Sequence, residues 1–272
     1  MRNLKTYGTA PYSGAKAHCT FYARYMNAPV GRVVDVCAGA LNLTSLALQL
    51  DYKTIEVNDI DPSLVLVYKM IRDKQEEFIE AFCKLDVSRD VFADQKKIEK
   101  DTSKSDLERA VATYYLLRYS FSGLRVSFSN KPKIKAERLS NRLKIFENLG
   151  EIHNTSTFSL IASEIDSGKS KDTLYILDPP YSNNRAGYKY NIVSEFRHEL
   201  LSKLIQDLPY VILCGSKNDF CAYDRLLAHG WERVYLMDKP ITLKALKKGE
   251  KPLCTEEYLW IKGVNIGTLK VA

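Results

Sequence analysis

No apolar run in this chain approaches the ~20 residues needed to cross a bilayer, so no membrane-spanning helix is expected. The opening segment carries Arg2, Lys5, Lys16 and Arg24 with no apolar stretch among them, which argues against a secretory signal. Six scattered cysteines (Cys19, Cys37, Cys83, Cys214, Cys221 and Cys254) form no CxxC pair and have no histidine at ligand spacing. That argues against a zinc ribbon or a disulfide framework and for a reducing compartment. The cytoplasm is therefore expected, and no metal site. Internal repeats and low-complexity tracts are missing as well. So is the G-x-G-x-x-G of dinucleotide sites. Only Gly39 stands in the corresponding turn, which argues against a pyrophosphate cradle.

What is present is an ordinary globular composition: 272 residues, 45% hydrophobic and 27% charged, with a net charge of +7. The stretch around which the rest is organised runs over 172–181 and ends in Leu177-Asp178-Pro179-Pro180-Tyr181. Residues 174–177 read as a buried strand, stopped by prolines that restrict Asp178 to extended backbone and offer no N–H to a ladder. One carboxylate and one aromatic ring are thereby presented at the carboxyl end of a strand, the edge where open α/β sheets bind ligands. Upstream, Val33-Val34-Asp35-Val36-Cys37 reads as the first central strand, ending in the small turn Ala38-Gly39-Ala40. A helix follows over 42–49, with Asn42 or Thr44 as its cap. A second strand at 54–57 ends at Asn58-Asp59, where an acid about 20 residues after the glycine turn accepts both hydroxyls of a ribose. Asp61 reads as the cap of a helix over 62–85.

From 86 to 148 the α/β rhythm breaks. Arg118, Arg125, Lys131, Lys133, Lys135, Arg138, Arg142 and Lys144 face one acid, Glu137, among the aromatics Tyr114, Tyr115, Tyr119, Phe121 and Phe128. Such a block is either a solvated face or an insertion suited to phosphate and base contacts, and beside a proline turn of this kind we read the second. The later chain predicts a helix over 194–206, a strand at 210–214, a helix to 229, and two strands at 231–237 and 257–261. A loop with Lys244, Lys247, Lys248 and Lys251 joins those two strands. His198 and His229 read as structural.

In order, these pieces resemble the Dam-like DNA adenine-N6 methyltransferases over most of the chain. Ser13-Gly14-Ala15-Lys16 is similar to the family's G-G-K turn, Cys37-Ala38-Gly39-Ala40 to its cofactor turn, and Asn58-Asp59-Ile60-Asp61 to its N-D-x-N. The run 117–124 is similar to N-R-x-G-x-N-G-L, Phe196-Arg197-His198-Glu199-Leu200 to F-x-H-x-x-L, and Glu256-Glu257-Tyr258-Leu259-Trp260 to E-E-x-L-I. Departures are Ala40 for the second glycine, Thr157 for an aspartate and Ser122 for an asparagine.

The resemblance implies an α/β, Rossmann-like, seven-stranded S-adenosylmethionine-dependent methyltransferase fold. Residues 1–85 and 149–272 would form the catalytic domain, and 86–148 an inserted, mainly helical target-recognition domain. It implies methyl transfer from S-adenosylmethionine to the exocyclic amine of a flipped adenine in duplex DNA. Asp178 and the Pro179 carbonyl would draw the conjugated lone pair back onto the amine, Pro180 completes the turn, and Tyr181 would stack on the base. Cofactor contacts fall to Tyr12, Ser13, Gly14, Lys16, Asp35, Cys37, Ala38, Gly39, Asn58, Asp59, Thr157, Phe158 and Asp178. DNA contacts fall to Arg118, Tyr119, Ser122, Arg125, Lys131 and Lys133. Double-stranded DNA is the expected partner, a cognate restriction endonuclease a further one, and the chain is expected to act as a monomer. The same tetrapeptide serves cytosine-N4 and RNA adenine acceptors, and a DNA-binding protein with an eroded cofactor turn is a third reading.

Overall fold

A computed structural model describes residues 4–9, 20–182, 197–240 and 254–265. In chain order its elements are β1 (Arg32–Asp35), α1 (Asn42–Ala47), β2 (Thr54–Asn58), α2 (Pro62–Asp73) and α3 (Gln75–Lys84). These are followed by α4 (Arg89–Ile98), α5 (Asp106–Arg118), α6 (Ala136–Leu143), β3 (Ile152–His153) and α7 (Thr157–Asp166). The chain closes with β4 (Thr173–Leu177), α8 (His198–Ile205), β5 (Tyr210–Ser216), α9 (Phe220–Tyr223), β6 (Glu232–Pro240) and β7 (Cys254–Lys262).

The seven strands form one sheet in the order β3-β2-β1-β4-β5-β7-β6. The first five pair in parallel, and β7 enters antiparallel between β5 and β6. Successive residues of a strand face opposite sides, so a sheet covered on both faces needs continuous apolar runs. Val33, Leu174, Ile176 and Ile212 accordingly face one core with α1, while Val34, Tyr175, Leu177 and Leu213 face the other with α7 and α8. The chain order reverses between β1 and β4, and ligands of open α/β sheets bind in the crevice beyond the carboxyl ends of the strands at such a switch.

At the other end of these strands a buried ion network fixes the register. Arg32 grips Glu56 through two hydrogen bonds of 2.7 and 2.6 Å, pairs with Glu164 of α7 and donates to Thr173 at 3.0 Å. His153 of β3 meets the same Glu56 at 3.0 Å. Burial pushes the Glu56 carboxyl up, but Arg32 and His153 outweigh it and hold it at about 2.

Three local expectations change. The α1 cap is Leu41, held at φ 59 without a side-chain hydrogen bond; Asn42 and Thr44 are buried inside the helix, and Thr44 is turned to Asp35. The helix expected over 62–85 breaks at Lys74 (φ −141), giving α2 and α3, while Asp61 caps α2 as expected by accepting from the Ser63 N–H. β3, two residues long, carries too short a pattern to be read from sequence.

The helices of 86–148 do not hold a core apart. Phe78 and Phe82 of α3 pack with Tyr114, Tyr115, Leu139, Leu143 and Phe146 in one cluster that also takes Leu64, Val67 and Ile71 of α2. Tyr114 additionally donates its hydroxyl to the Thr9 carbonyl at 2.6 Å. The basic, aromatic character of the segment is therefore divided: most of its rings face inward.

Candidate active site

Three acidic residues converge where β1, β2 and β4 end. Asp35, the last residue of β1, is buried and accepts from the Thr44 hydroxyl at 2.6 Å, which is why Thr44 is unavailable as a cap. Its second oxygen, Oδ1, has no hydrogen-bond partner among the described residues. Burial pushes Asp35 up to about 7; the Thr44 bond opposes this, and the charges of Asp178 and Asp59 add to it. Asp59, one residue past β2, accepts from the Gly39 N–H and the Asp61 N–H, each at 2.9 Å. Burial raises it to about 6 against those two bonds. The Tyr68 hydroxyl also lies 3.5 Å from Oδ2, and since a carboxylate accepts about four hydrogen bonds Asp59 keeps acceptor capacity for a ligand hydroxyl.

Gly39 sits in this turn at φ 48, a conformation costly for a residue with Cβ. Tyr68 of α2 braces it by donating to its carbonyl at 2.5 Å. Ala38 donates its N–H to the Asn58 carbonyl at 3.0 Å, so the β1 and β2 ends are tied together. The Asn58 side chain is held within the protein: its amide donates to the Val36 and Thr155 carbonyls at 2.9 and 3.1 Å and accepts from the Thr155 N–H. It holds Thr155, and with it the 153–157 loop, against the strand ends. Cys37 lies 3.4 Å from the Thr157 hydroxyl, and burial pushes its thiol far up, which favours the protonated form. Phe158 is half-buried at the start of α7, against the core of the second sheet face. Tyr12, Ser13, Gly14 and Lys16 lie outside the described residues.

The tetrapeptide leaves β4 beside this cluster, with Pro179 buried and Asp178, Pro180 and Tyr181 half-buried. Tyr181 donates its hydroxyl to Glu257 of β7 at 3.1 Å, and Lys239 of β6 meets the same carboxylate oxygen at 2.9 Å. Burial and the charges of Asp178 and Glu257 push the Tyr181 phenol well up, so it remains a hydroxyl. Ser182 is pinned by Asp219, which accepts its N–H at 3.0 Å and also takes the Ser216 N–H and hydroxyl at 2.7 and 2.8 Å. Glu257, Asp219 and Asn154, which holds the Asp59 carbonyl at 2.8 Å, were given no site role by sequence reasoning. The only signal was the paired acid Glu256-Glu257 in the last strand.

The expected DNA contacts separate by burial. Ser122, at φ 51, and Lys133 are exposed; Arg118 and Lys131 are half-buried. Arg118 lies over the Tyr119 ring, and Lys131 donates to the Arg118 and Ser120 carbonyls at 3.1 and 2.7 Å. Tyr119 and Arg125 correct the expectation. Tyr119 is 1% exposed and stacks in the core with Phe82, and Arg125 is 8% exposed, bound to Asp61 and, at 2.9 Å, to Glu99. Neither presents its polar group at the surface. Phe121 and Val126, 54% and 67% exposed, are the large apolar groups on the same loop. Among the described residues no helix is long and apolar enough to cross a membrane.

The family model for D12 class N6 adenine-specific DNA methyltransferases matches residues 25–233. The chain is also 24% identical over 151 residues to the Type II methyltransferase M1.LlaDCHI of Lactococcus lactis subsp. cremoris, an alignment covering 50% of this chain and 53% of that protein. The chain thus spans about half the length of this curated relative.

Proposed function

The chain belongs to the D12 class N6 adenine-specific DNA methyltransferase family, and from that premise we propose that it transfers a methyl group from S-adenosylmethionine to the N6 amine of an adenine flipped out of duplex DNA. The observation that carries the reading is the convergence of Asp178-Pro179-Pro180-Tyr181 with Asp35 and Asp59 at the switch of the sheet.

The acidic cluster supports this donor. S-adenosylmethionine bears a sulfonium, an ammonium and a ribose diol. Positive charge would offset the burial and the neighbouring carboxylate charges that raise Asp35, and Asp59 would accept from the ribose. Asp35, Asp59 and Phe158 would hold the donor, which supplies an electrophilic methyl group when bound.

The residues of this chain do the rest. An exocyclic amine is a weak nucleophile while its lone pair is conjugated into the ring. The Asp178 side chain and the Pro179 carbonyl accept its two N–H groups and favour the pyramidal amine of the transition state, a stabilisation absent from the ground state. Pro180 keeps the turn stiff. Tyr181 faces the base with its ring, its hydroxyl fixed by Glu257. Residues 86–148 act as the target-recognition segment, with Arg118, Ser122, Lys131 and Lys133 as the DNA contacts.

The proposal includes double-stranded DNA as partner, a cognate restriction endonuclease beside it, the cytoplasm as compartment and a monomer as the working unit. It is tested with methyl-labelled S-adenosylmethionine, unmethylated genomic DNA and, separately, total RNA. N6-methyladenine in DNA is expected, with a loss on the order of 100-fold in Asp178→Ala. Product in RNA, or methylcytosine in DNA, would overturn the acceptor, and an undiminished Asp178→Ala would overturn the mechanism.

A further inference from the structure

The loop spanning residues 119–129 is closed on itself. Ser120 and Phe128 form a bridge, the Phe121 N–H reaches the Ser127 carbonyl at 3.1 Å, and the Ser129 N–H reaches the Tyr119 carbonyl at 2.8 Å. Its outer side carries Phe121, Ser122 and Val126 in solvent. From its inner side one long side chain, Arg125, runs into the body of the protein. The Arg125 backbone is held in the left-handed region (φ 60), with its N–H on the Ser120 hydroxyl at 2.9 Å. A non-glycine residue stays there only when its surroundings over-determine it.

What surrounds it is the cofactor loop. One guanidinium nitrogen pairs with Asp61 and another with Glu99, just past α4. Asp61 in turn caps α2 through Ser63 and donates its own N–H to Asp59, the expected ribose ligand. The Arg125 charge also acts on Asp59 directly, lowering its proton affinity against burial. Two hydrogen bonds therefore separate the inner face of the recognition loop from the carboxylate of the cofactor site.

We propose that Arg125 is a positioning residue that couples the two substrates, so that DNA seated on the 119–129 loop sets Asp61 and Asp59 for the cofactor. The inference rests on the functional reading above. Coupling of this kind is reciprocal and commonly reaches fivefold or more in affinity. A purely structural role for the ion triad would change both affinities without linking them.

The experiment measures binding of S-adenosylhomocysteine, which cannot react, by calorimetry with and without sheared unmethylated double-stranded DNA. In the wild-type protein DNA is expected to tighten this binding by about fivefold or more. In the triple variant Asp61→Asn, Glu99→Gln, Arg125→Met, which removes the three charges of the triad together, the ratio is expected to fall to about one while each ligand still binds alone. A wild-type ratio of one overturns the coupling whether or not the variant folds, and so does a variant that keeps the wild-type ratio. Wild-type protein that binds neither ligand overturns the functional reading itself.

Discussion

Asp35 offers the sharpest test of the carboxylate cluster. It is 2% exposed and raised from an ordinary 3.8 to about 7, chiefly by burial. A carboxyl whose pKa rises on folding binds its proton more readily in the native than in the unfolded chain. The fold therefore gains stability from it as pH falls through 7, and the gain is complete below the unfolded value. At about 1.4 kcal/mol per pKa unit, this residue contributes roughly 2 to 3 kcal/mol to the native state between pH 8 and pH 5. Asp59, raised to about 6, acts in the same direction, and His198, lowered by burial, acts in the opposite one. Asp35→Asn separates the three: it keeps the acceptor for Thr44 and removes one titration. Denaturant unfolding of both proteins across that pH range should show the wild-type stability, relative to the variant, growing by roughly 2 to 3 kcal/mol as pH falls. Two parallel curves, agreeing within about 0.5 kcal/mol, would refute the placement of a strained carboxyl at the end of β1. Because a bound cation favours the ionised form, donor affinity should move the other way and tighten as pH rises through 7.

Glu257→Gln should lower kcat about tenfold with little change in S-adenosylhomocysteine affinity, because Tyr181 loses a charged acceptor worth about 1.5 kcal/mol and no donor ligand is touched. Single-turnover kinetics on labelled DNA would show it, and an unchanged kcat would mean that the ring position does not depend on β7. Phe82→Ala removes the ring at the centre of the Tyr114, Tyr115 and Tyr119 cluster and should cost about 3 to 5 kcal/mol by denaturant unfolding. A cost near zero would separate 86–148 from the rest of the core. Lys133→Ala, whose exposed side chain meets Asp86 at 3.5 Å, should leave stability within about 0.5 kcal/mol. It should also reduce the salt dependence of DNA binding by roughly one counterion, a slope readable from titrations at several ionic strengths. An unaltered slope would remove Lys133 from the interface.

The parts whose information is local are legible in the chain. The apolar runs of β1, β2, β4 and β5 announce strands buried on both faces, the prolines stop β4 where they stand, and the carboxylates of Asp35, Asp59 and Asp178 follow strand ends because a strand end is where an acid can be both fixed and reached. The tertiary structure alone decided what depends on partners far along the chain. Glu257 acquires a role because β7 enters antiparallel beside β5 and brings it to Tyr181, 76 residues away in sequence. Tyr119 and Arg125 look like nucleic-acid contacts in a basic, aromatic run. Yet Phe82 on α3 and Asp61 beside β2 draw them inward, since a ring gains more by burial and a guanidinium more by two carboxylates than either gains in water. Composition reports which groups a segment owns; only packing assigns each of them a side.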